Sequence, residues 1–229
     1  MKLRIKFRKY GPVRFIGHLD VMRFFQKAIR RAEIDVAYST GFSPHQIMSF
    51  ASPLSVGLES NGEYMDVEVN SIVSCEDVKN RLNASSAPGI EVTSVIELPD
   101  NAGNAMASVA AASYTVRFRE GREPKLDIQA ALPAFLGKDQ ILYTKETKKG
   151  TREINLKEGI YELTWENNTF SMLVDASSAG NIKPVQIIEA LLAEHGENLQ
   201  ENALLVTRED MFTNVGTEEE RKLVPLDAV

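Results

Sequence analysis

A chain of 229 residues can form one large domain or two small ones, and an apolar fraction of 43% is enough for an ordinary buried core. A net charge of −6 argues against a generic polyanion binder. The single Cys75 excludes an intrachain disulfide and cannot supply the clustered thiolates of a zinc or iron–sulfur site, so no metal and no cofactor is expected.

The opening Met1–Lys9 alternates charge with hydrophobe, which is no secretory signal, and no apolar run approaches membrane-spanning length. A reducing cytoplasm is the expected compartment, with no membrane partner. The charge is unevenly placed. Residues 1–50 hold ten Lys or Arg (Lys2, Arg4, Lys6, Arg8, Lys9, Arg14, Arg23, Lys27, Arg30, Arg31) against Asp20, Glu33 and Asp35, a balance of +7 that leaves −13 for the remainder. A basic head on an acidic body predicts either an anionic partner or mutual attraction of the two parts.

Leu3, Ile5 and Phe7 alternate with Arg4, Lys6 and Arg8, the period of a strand with one buried and one open face, and Gly11-Pro12 ends it. From Gly17 to Ile34 the period becomes helical. Val21, Met22, Phe24, Phe25, Ala28, Ile29 and Ala32 fill one side, with Arg23, Lys27, Arg30 and Arg31 opposite. Residues 37–57 read as ordered loops around a β-type piece at Gln46–Ala51, and 64–69 alternate as a further strand. Ser74 then caps a helix that places Cys75, Val78 and Leu82 on one side, Pro88-Gly89 stops it, and Ile90–Ile96 forms a strand.

The order β-α-β-β-α-β is the split βαβ plan of ferredoxin-like folds. The small-residue stretch from Asp100 predicts a boundary, after which the plan recurs: a strand at Tyr114–Arg119, a helix near Leu126–Leu136, a hairpin turning at Asn167-Asn168, a helix over Pro184–His195 and a strand at Ala203–Thr207. Gln140–Gly159, with Lys149-Gly150 at its turn, fits an inserted hairpin. The expected fold is therefore α+β, two tandem ferredoxin-like halves. An N-terminal half spans 1–99, a linker 100–112 and a C-terminal half 113–229.

The basic helix face is the clearest surface signal, with Arg23, Lys27 and Arg31 at i, i+4, i+8 and Arg30 beside them. A solvated helix side explains it equally well. The basic strand has a simpler reading, because strands one and three of this plan are neighbours and Asp66 and Glu68 would face its cations. His18 and His45, near Asp20 and an aromatic, Gly-rich loop carrying Tyr38, Gly41, Phe42 and Phe50, are weak candidates for a general acid and base. His195 reads as a partly buried helix-terminal residue and Cys75 as core. The chain has no phosphate-binding Gly-rich loop, no Cys-x-x-Cys, no His-Glu-x-x-His and no nucleophile elbow.

The runs Val13-Arg-Phe-Ile-Gly-His-Leu-Asp-Val-Met-Arg-Phe-Phe-Gln-Lys-Ala-Ile-Arg-Arg-Ala, Ala37-Tyr-Ser-Thr-Gly-Phe-Ser-Pro-His-Gln and Met48-Ser-Phe-Ala-Ser-Pro-Leu, continuing through Gly57 and Gly62-Glu-Tyr-Met-Asp-Val-Glu, resemble the bacterial radical-SAM-linked proteins. The resemblance is specific over residues 13–68 and implies an accessory that works beside a radical S-adenosylmethionine enzyme. It carries over no activity. Two ferredoxin-like halves also resemble CRISPR RNA-processing endoribonucleases, but their C-terminal glycine-rich segment is missing, since the last fifty residues hold only Gly180, Gly196 and Gly216.

The first expectation is therefore a non-catalytic binding module that presents an anionic substrate such as structured RNA to a radical enzyme, or docks on that enzyme. Its binding residues would be Arg14, His18, Arg23, Lys27, Arg30, Arg31, Tyr38, Phe42 and His45. The alternative is a metal-independent endoribonuclease using His18 and His45.

Overall fold

The computed structural model describes residues 1–147, 150–217 and 220–228. The protein is α+β and mainly sheet, with five α-helices among the described residues. The chain folds as two compact units, Met1–Ala110 with Arg208–Val229, and Ala111–Thr207.

The first unit contains β1 (Lys2–Lys9), α1 (His18–Arg31), β2 (Asp35–Val36), β3 (Met48–Phe50), β4 (Glu59–Ser71), α2 (Cys75–Ala84), β5 (Ile90–Leu98) and the short α3 (Ala105–Ser108). The strand order is β5-β1-β4, with both neighbours of β1 antiparallel to it. The strand expected within Gln46–Ala51 forms as β3, and a further short strand, β2, precedes it; both pair with β4. A bridge between Tyr38 and Gln46 ties off the loop between them.

The alternation of β1 sends Leu3, Ile5 and Phe7 into the core beneath α1. There Phe7, Phe25 and Phe50 form an aromatic cluster, with Phe7 and Phe25 in edge contact at 4.7 Å between ring centroids. Helix α1 buries Val21, Phe25, Ala28 and Ile29. It closes with Ile34 N–H donating to Ile29 O and Glu33 N–H donating to Arg30 O, the Schellman pattern, with Glu33 at φ 51° where glycine is usual. Helix α2 starts as its sequence predicts, with Ser74 Oγ accepting from Asp77 N–H at 3.0 Å.

The second unit contains β6 (Ala111–Phe118), α4 (Ile128–Leu136), β7 (Leu142–Thr147), β8 (Gly150–Asn155), β9 (Ile160–Glu166), β10 (Thr169–Asp175), α5 (Pro184–Glu194) and the start of β11 (Leu204–Asn214). Strand β10 lies between β6 and β9, and Asn167 and Asn168 take φ of 50° and 57° in the two-residue hairpin turn. The inserted hairpin forms as β7-β8, although its turn at Lys149 lies outside the described residues. His195 caps the end of α5 and is exposed, not partly buried, because it lies beyond the last helical residue, Glu194, where the chain leaves the helix.

Two boundaries differ from expectation. The stretch 100–112 is not an open linker, since α3 lies inside it, Ala105 is buried and β6 begins at Ala111. The strand expected to end at Thr207 runs on to Asn214, and Arg208–Asn214 with β12 (Leu223–Pro225) returns to the first unit. The outer edge of the thirteen-residue β4 is long enough to serve both β3 and the end of β11. Gly62 allows that approach, because a Cβ there would lie 2.8 Å from Asp210 Cα and from Glu209 O.

The face of β1 expected to be open is largely covered. Arg4 is opposite Asp66 as the pairing predicts, but the two side chains are only 1% and 3% exposed. Arg4 Nε donates to Asp66 Oδ1 at 2.8 Å and Nη2 to Oδ2 at 3.1 Å, while Nη1 reaches Leu226 O and Nη2 also reaches Gly103 O. Ala105 N–H donates to Asp66 Oδ2 at 2.7 Å, so α3 starts on this carboxylate. Removing one member of a buried pair strands the other in a medium that solvates it poorly. Asp66→Ala is therefore expected to cost about 3–5 kcal/mol in urea unfolding, and Arg4→Met with Asp66→Leu to cost clearly less than Asp66→Ala alone. A loss within about 0.5 kcal/mol for Asp66→Ala would show that water takes over the role of the pair.

Candidate functional site

The first unit offers two places where side chains could meet a ligand. One is the outward face of α1 with the loop that follows it. The other is the end of the core beneath the N-terminus of the same helix.

On α1, Arg23, Lys27, Arg30 and Arg31 are all exposed. Arg23 meets Asp20 at 3.5 Å with both groups well exposed, a pair worth about 0–1 kcal/mol. Arg30 Nε donates to Gln26 O at 3.3 Å, and Arg31 Nη2 to Ser85 O at 2.7 Å. Of these partners, Asp20 alone neutralises charge. Three cations of β1 are different: Arg4 is bound to Asp66, Lys6 Nζ to Asp210 at 2.7 Å and Arg8 to Glu91 at 3.2 Å.

Arg14 belongs with the internal group. Its Nη1 donates to Glu59 Oε1 at 3.2 Å and its guanidinium lies 4.8 Å from the Phe15 ring centre. Its carbonyl accepts from Gly57 N–H, which fixes the far end of the loop.

The loop between β2 and β3 is tied across its base. Ser39 N–H donates to His45 O at 2.8 Å, His45 N–H donates to Ser39 Oγ at 3.1 Å, and Ser39 Oγ and His45 Nδ1 share a further hydrogen bond at 2.8 Å. Gln46 is buried and its Nε2 donates to Gln26 O at 3.2 Å, the same carbonyl that Arg30 uses. The base of the loop thus abuts the basic stripe. Tyr38 is exposed and Phe42 fully so.

The two histidines have different surroundings. His45 is exposed and held by Ser39, whereas His18, in the first turn of α1, meets the Phe50 ring edge-on at 5.1 Å. Asp20 is exposed and pairs with Arg23.

His18 borders the second place, a cavity of about 20 Å³ lined also by Phe7, Lys9, Val21, Phe50, Pro53, Leu54 and Glu63. That is room for about one water molecule. Lys9 is 2% exposed and its Nζ donates to Ile16 O at 2.9 Å. Burial lowers its pKa, opposed by the Glu63 carboxylate and reinforced by the Arg208 charge. Glu63 is buried and engaged by Arg208, whose Nε donates to Oε1 at 2.8 Å and whose Nη2 also reaches Ser52 O. Lys9, Glu63 and Arg208 were not among the expected site residues. The signal for the first was present, because Lys9 continues the buried series Leu3, Ile5, Phe7 at period two. Arg208 carried no such signal.

In the second unit a wider opening lies between β7 and α5, bordered by Lys145, Lys183, Glu189, Glu194 and Glu197. Its mixed charges select no ligand class. Among the described residues no group of three His, Cys, Asp or Glu is placed to hold a metal ion, and no helix is long and apolar enough to cross a membrane.

The chain belongs to the bacterial family described as "Uncharacterized protein conserved in bacteria (DUF2344)", whose family model matches residues 2–184. No curated protein matches it.

The Lys9 geometry has a pH consequence. Between its lowered folded value and the ordinary lysine value of 10.5, the unfolded chain holds a proton on Lys9 that the folded chain has released, so stability rises with pH across that window. Lys9→Met has no group to titrate there. Paired urea titrations from pH 8 to 10.5 are expected to show the parent gaining stability relative to Lys9→Met, and a gap that stays constant would mean that Lys9 titrates like an ordinary surface lysine.

Proposed function

We propose that this member of the family is a non-catalytic binding module whose first unit holds an anionic macromolecule, structured RNA, against the outward face of α1, in the service of a radical S-adenosylmethionine enzyme. The observation that carries the RNA part is the contrast between the two sets of cations in the basic head. Arg4, Lys6 and Arg8 of β1, with Arg14, are matched by carboxylates inside the unit, while Lys27, Arg30 and Arg31 on α1 face solvent without a carboxylate partner among the described residues. Mutual attraction of head and body accounts for the first set and leaves the second unexplained.

The role of the radical enzyme rests on the resemblance of residues 13–68 alone. The same reading takes both units as variants of the ferredoxin-like plan. In its support, β5-β1-β4 carries β2 and β3 on the far edge of β4, and β6-β10-β9 has the start of β11 on the other edge of β6. Such sheets with helices on one face serve RNA-binding modules elsewhere.

Net charge does not oppose this. At physiological salt, interactions beyond about 8 Å between exposed charges are largely screened, so the excess of carboxylates elsewhere weakly affects a ligand lying on α1.

The test is fluorescence anisotropy with a labelled RNA stem-loop, in EDTA, on the parent and on Arg23→Gln, Lys27→Gln, Arg30→Gln combined. Arg31 is kept because it also holds Ser85 O. Gln is a good helix former, and unfolding stability is expected to change by no more than about 0.5 kcal/mol per site. RNA affinity should fall, and the slope of log K against log salt should become shallower by roughly 0.7–0.9 for each phosphate no longer neutralised. Unchanged RNA binding in the triple variant would return α1 to the status of a solvated helix face. RNA cleavage in EDTA that disappears in His18→Ala would overturn the non-catalytic reading.

A further inference from the structure

From Val36 to Leu58 the chain holds no Lys, Arg, Asp or Glu, although charged residues make up a quarter of the protein. Within this uncharged stretch the loop Tyr38–Gln46 is not loose. The Tyr38–Gln46 bridge, the three Ser39–His45 hydrogen bonds and the buried Gln46 amide on α1 fasten it from both sides. At its tip Gly41 takes φ +116°, which a side chain would resist, and the turn it makes leaves Phe42 with no surface covered by its own chain.

One exposed phenylalanine is common on a protein surface, but a ring that a pinned loop holds out in full leaves both of its faces free for a ligand. The neighbours of the loop narrow what that is. Arg30 and Gln46 converge on one carbonyl, Gln26 O, at 3.3 and 3.2 Å, so the phosphate-binding stripe proposed above begins at the foot of the loop. Tyr38, at the same foot, is exposed as well. Nothing acidic lies on the loop to repel a polyanion. Aromatic rings on a loop without carboxylates, beside a cationic track, are the arrangement by which proteins take up unpaired nucleotides: bases stack on the rings while phosphates follow the charges. A base-paired helix would offer α1 its phosphates, but its bases are stacked on one another and cannot cover Phe42.

We infer that Phe42 is a stacking platform for an unpaired base, and that the RNA held by α1 is one whose single-stranded loop or bulge lies next to a paired stem. The inference rests on the proposed RNA-binding role of α1 and adds the class of RNA. Tyr38 is the second ring available to the same strand. His45, bonded to Ser39 through Nδ1, keeps the loop in shape.

Two probes of equal length separate the inference from the reading it rests on: an RNA stem-loop with 2-aminopurine in its unpaired loop, and a blunt RNA duplex. The parent is expected to bind the stem-loop more tightly and to quench 2-aminopurine. Phe42→Ala should lose about ten- to hundred-fold in stem-loop affinity together with the quenching, since one base–aromatic stack is worth that much, while duplex affinity and the salt slope stay as in the parent. Phe42→Trp should restore stem-loop binding. The ring is fully exposed, so an unchanged thermal melt of Phe42→Ala is the folding control. Equal binding of both probes with no effect of Phe42→Ala overturns the stacking inference and leaves the α1 reading standing. Absence of binding to either probe by the parent overturns both. If Phe42→Ala leaves RNA binding intact and instead abolishes capture of the radical enzyme, the ring is a protein anchor and the inference is wrong.

Discussion

A carboxylate in the interior must be matched in full or it opposes folding, and Asp66 is matched from every side. Arg4 grips both of its oxygens, Ala105 N–H adds a third bond, and the guanidinium spends two more donors on Gly103 O and Leu226 O. The first strand, the long central strand, the start of α3 and the last turn of the chain therefore meet at one ion pair. The division of the chain into units follows from it, because residues beyond Arg208 complete a polar layer that begins at Arg4. Tyr64, on the same strand face, extends the layer. Its hydroxyl donates to Asp210 Oδ1 at 2.6 Å with Asp227 Oδ1 3.0 Å away, and burial with these two carboxylates pushes its pKa far above the ordinary tyrosine value.

This layer also decides where positive charge is left over. Strand β1 spends Arg4, Lys6 and Arg8 on carboxylates brought to it by β4, β5 and the C-terminal segment. Helix α1 lies on the opposite side of the sheet, where apolar side chains do the packing, so Lys27, Arg30 and Arg31 meet no such partners. The same division produces the polar end of the core. Lys9 and Glu63 occupy core-facing positions at the end of the sheet, and Arg208 enters beside them, so a cluster of ionisable groups lies under His18 and next to the loop that begins at Ala51.

Much of the first unit was legible because its patterns are local. The alternation of Leu3, Ile5 and Phe7, the helical spacing of Val21, Phe25, Ala28 and Ile29, and the Ser74 cap each depend on residues within a few positions of one another. The pairing of Arg4 with Asp66 could be anticipated from the order of elements, but its burial could not, since the cover comes from α3 and Leu226. The continuation of β11 past Thr207 was hidden because Arg208-Glu-Asp is polar where a strand is expected to be half apolar. Those three residues are strand all the same, held by Glu63, Asn61, and by Tyr64 together with Lys6.

Sequence alone determined the α+β class, the period of each major element, the apolar side of α1 and the presence of a basic head, because side-chain spacing and backbone preference are written along the chain. Only the tertiary structure decided which cations are neutralised, that Lys9 is buried at the end of the core, that the loop before β3 is pinned to α1 at Gln26, and that the last residues belong with the first. These are interactions between positions up to 222 residues apart, and the free energy of burying a charge depends on what the rest of the chain places beside it.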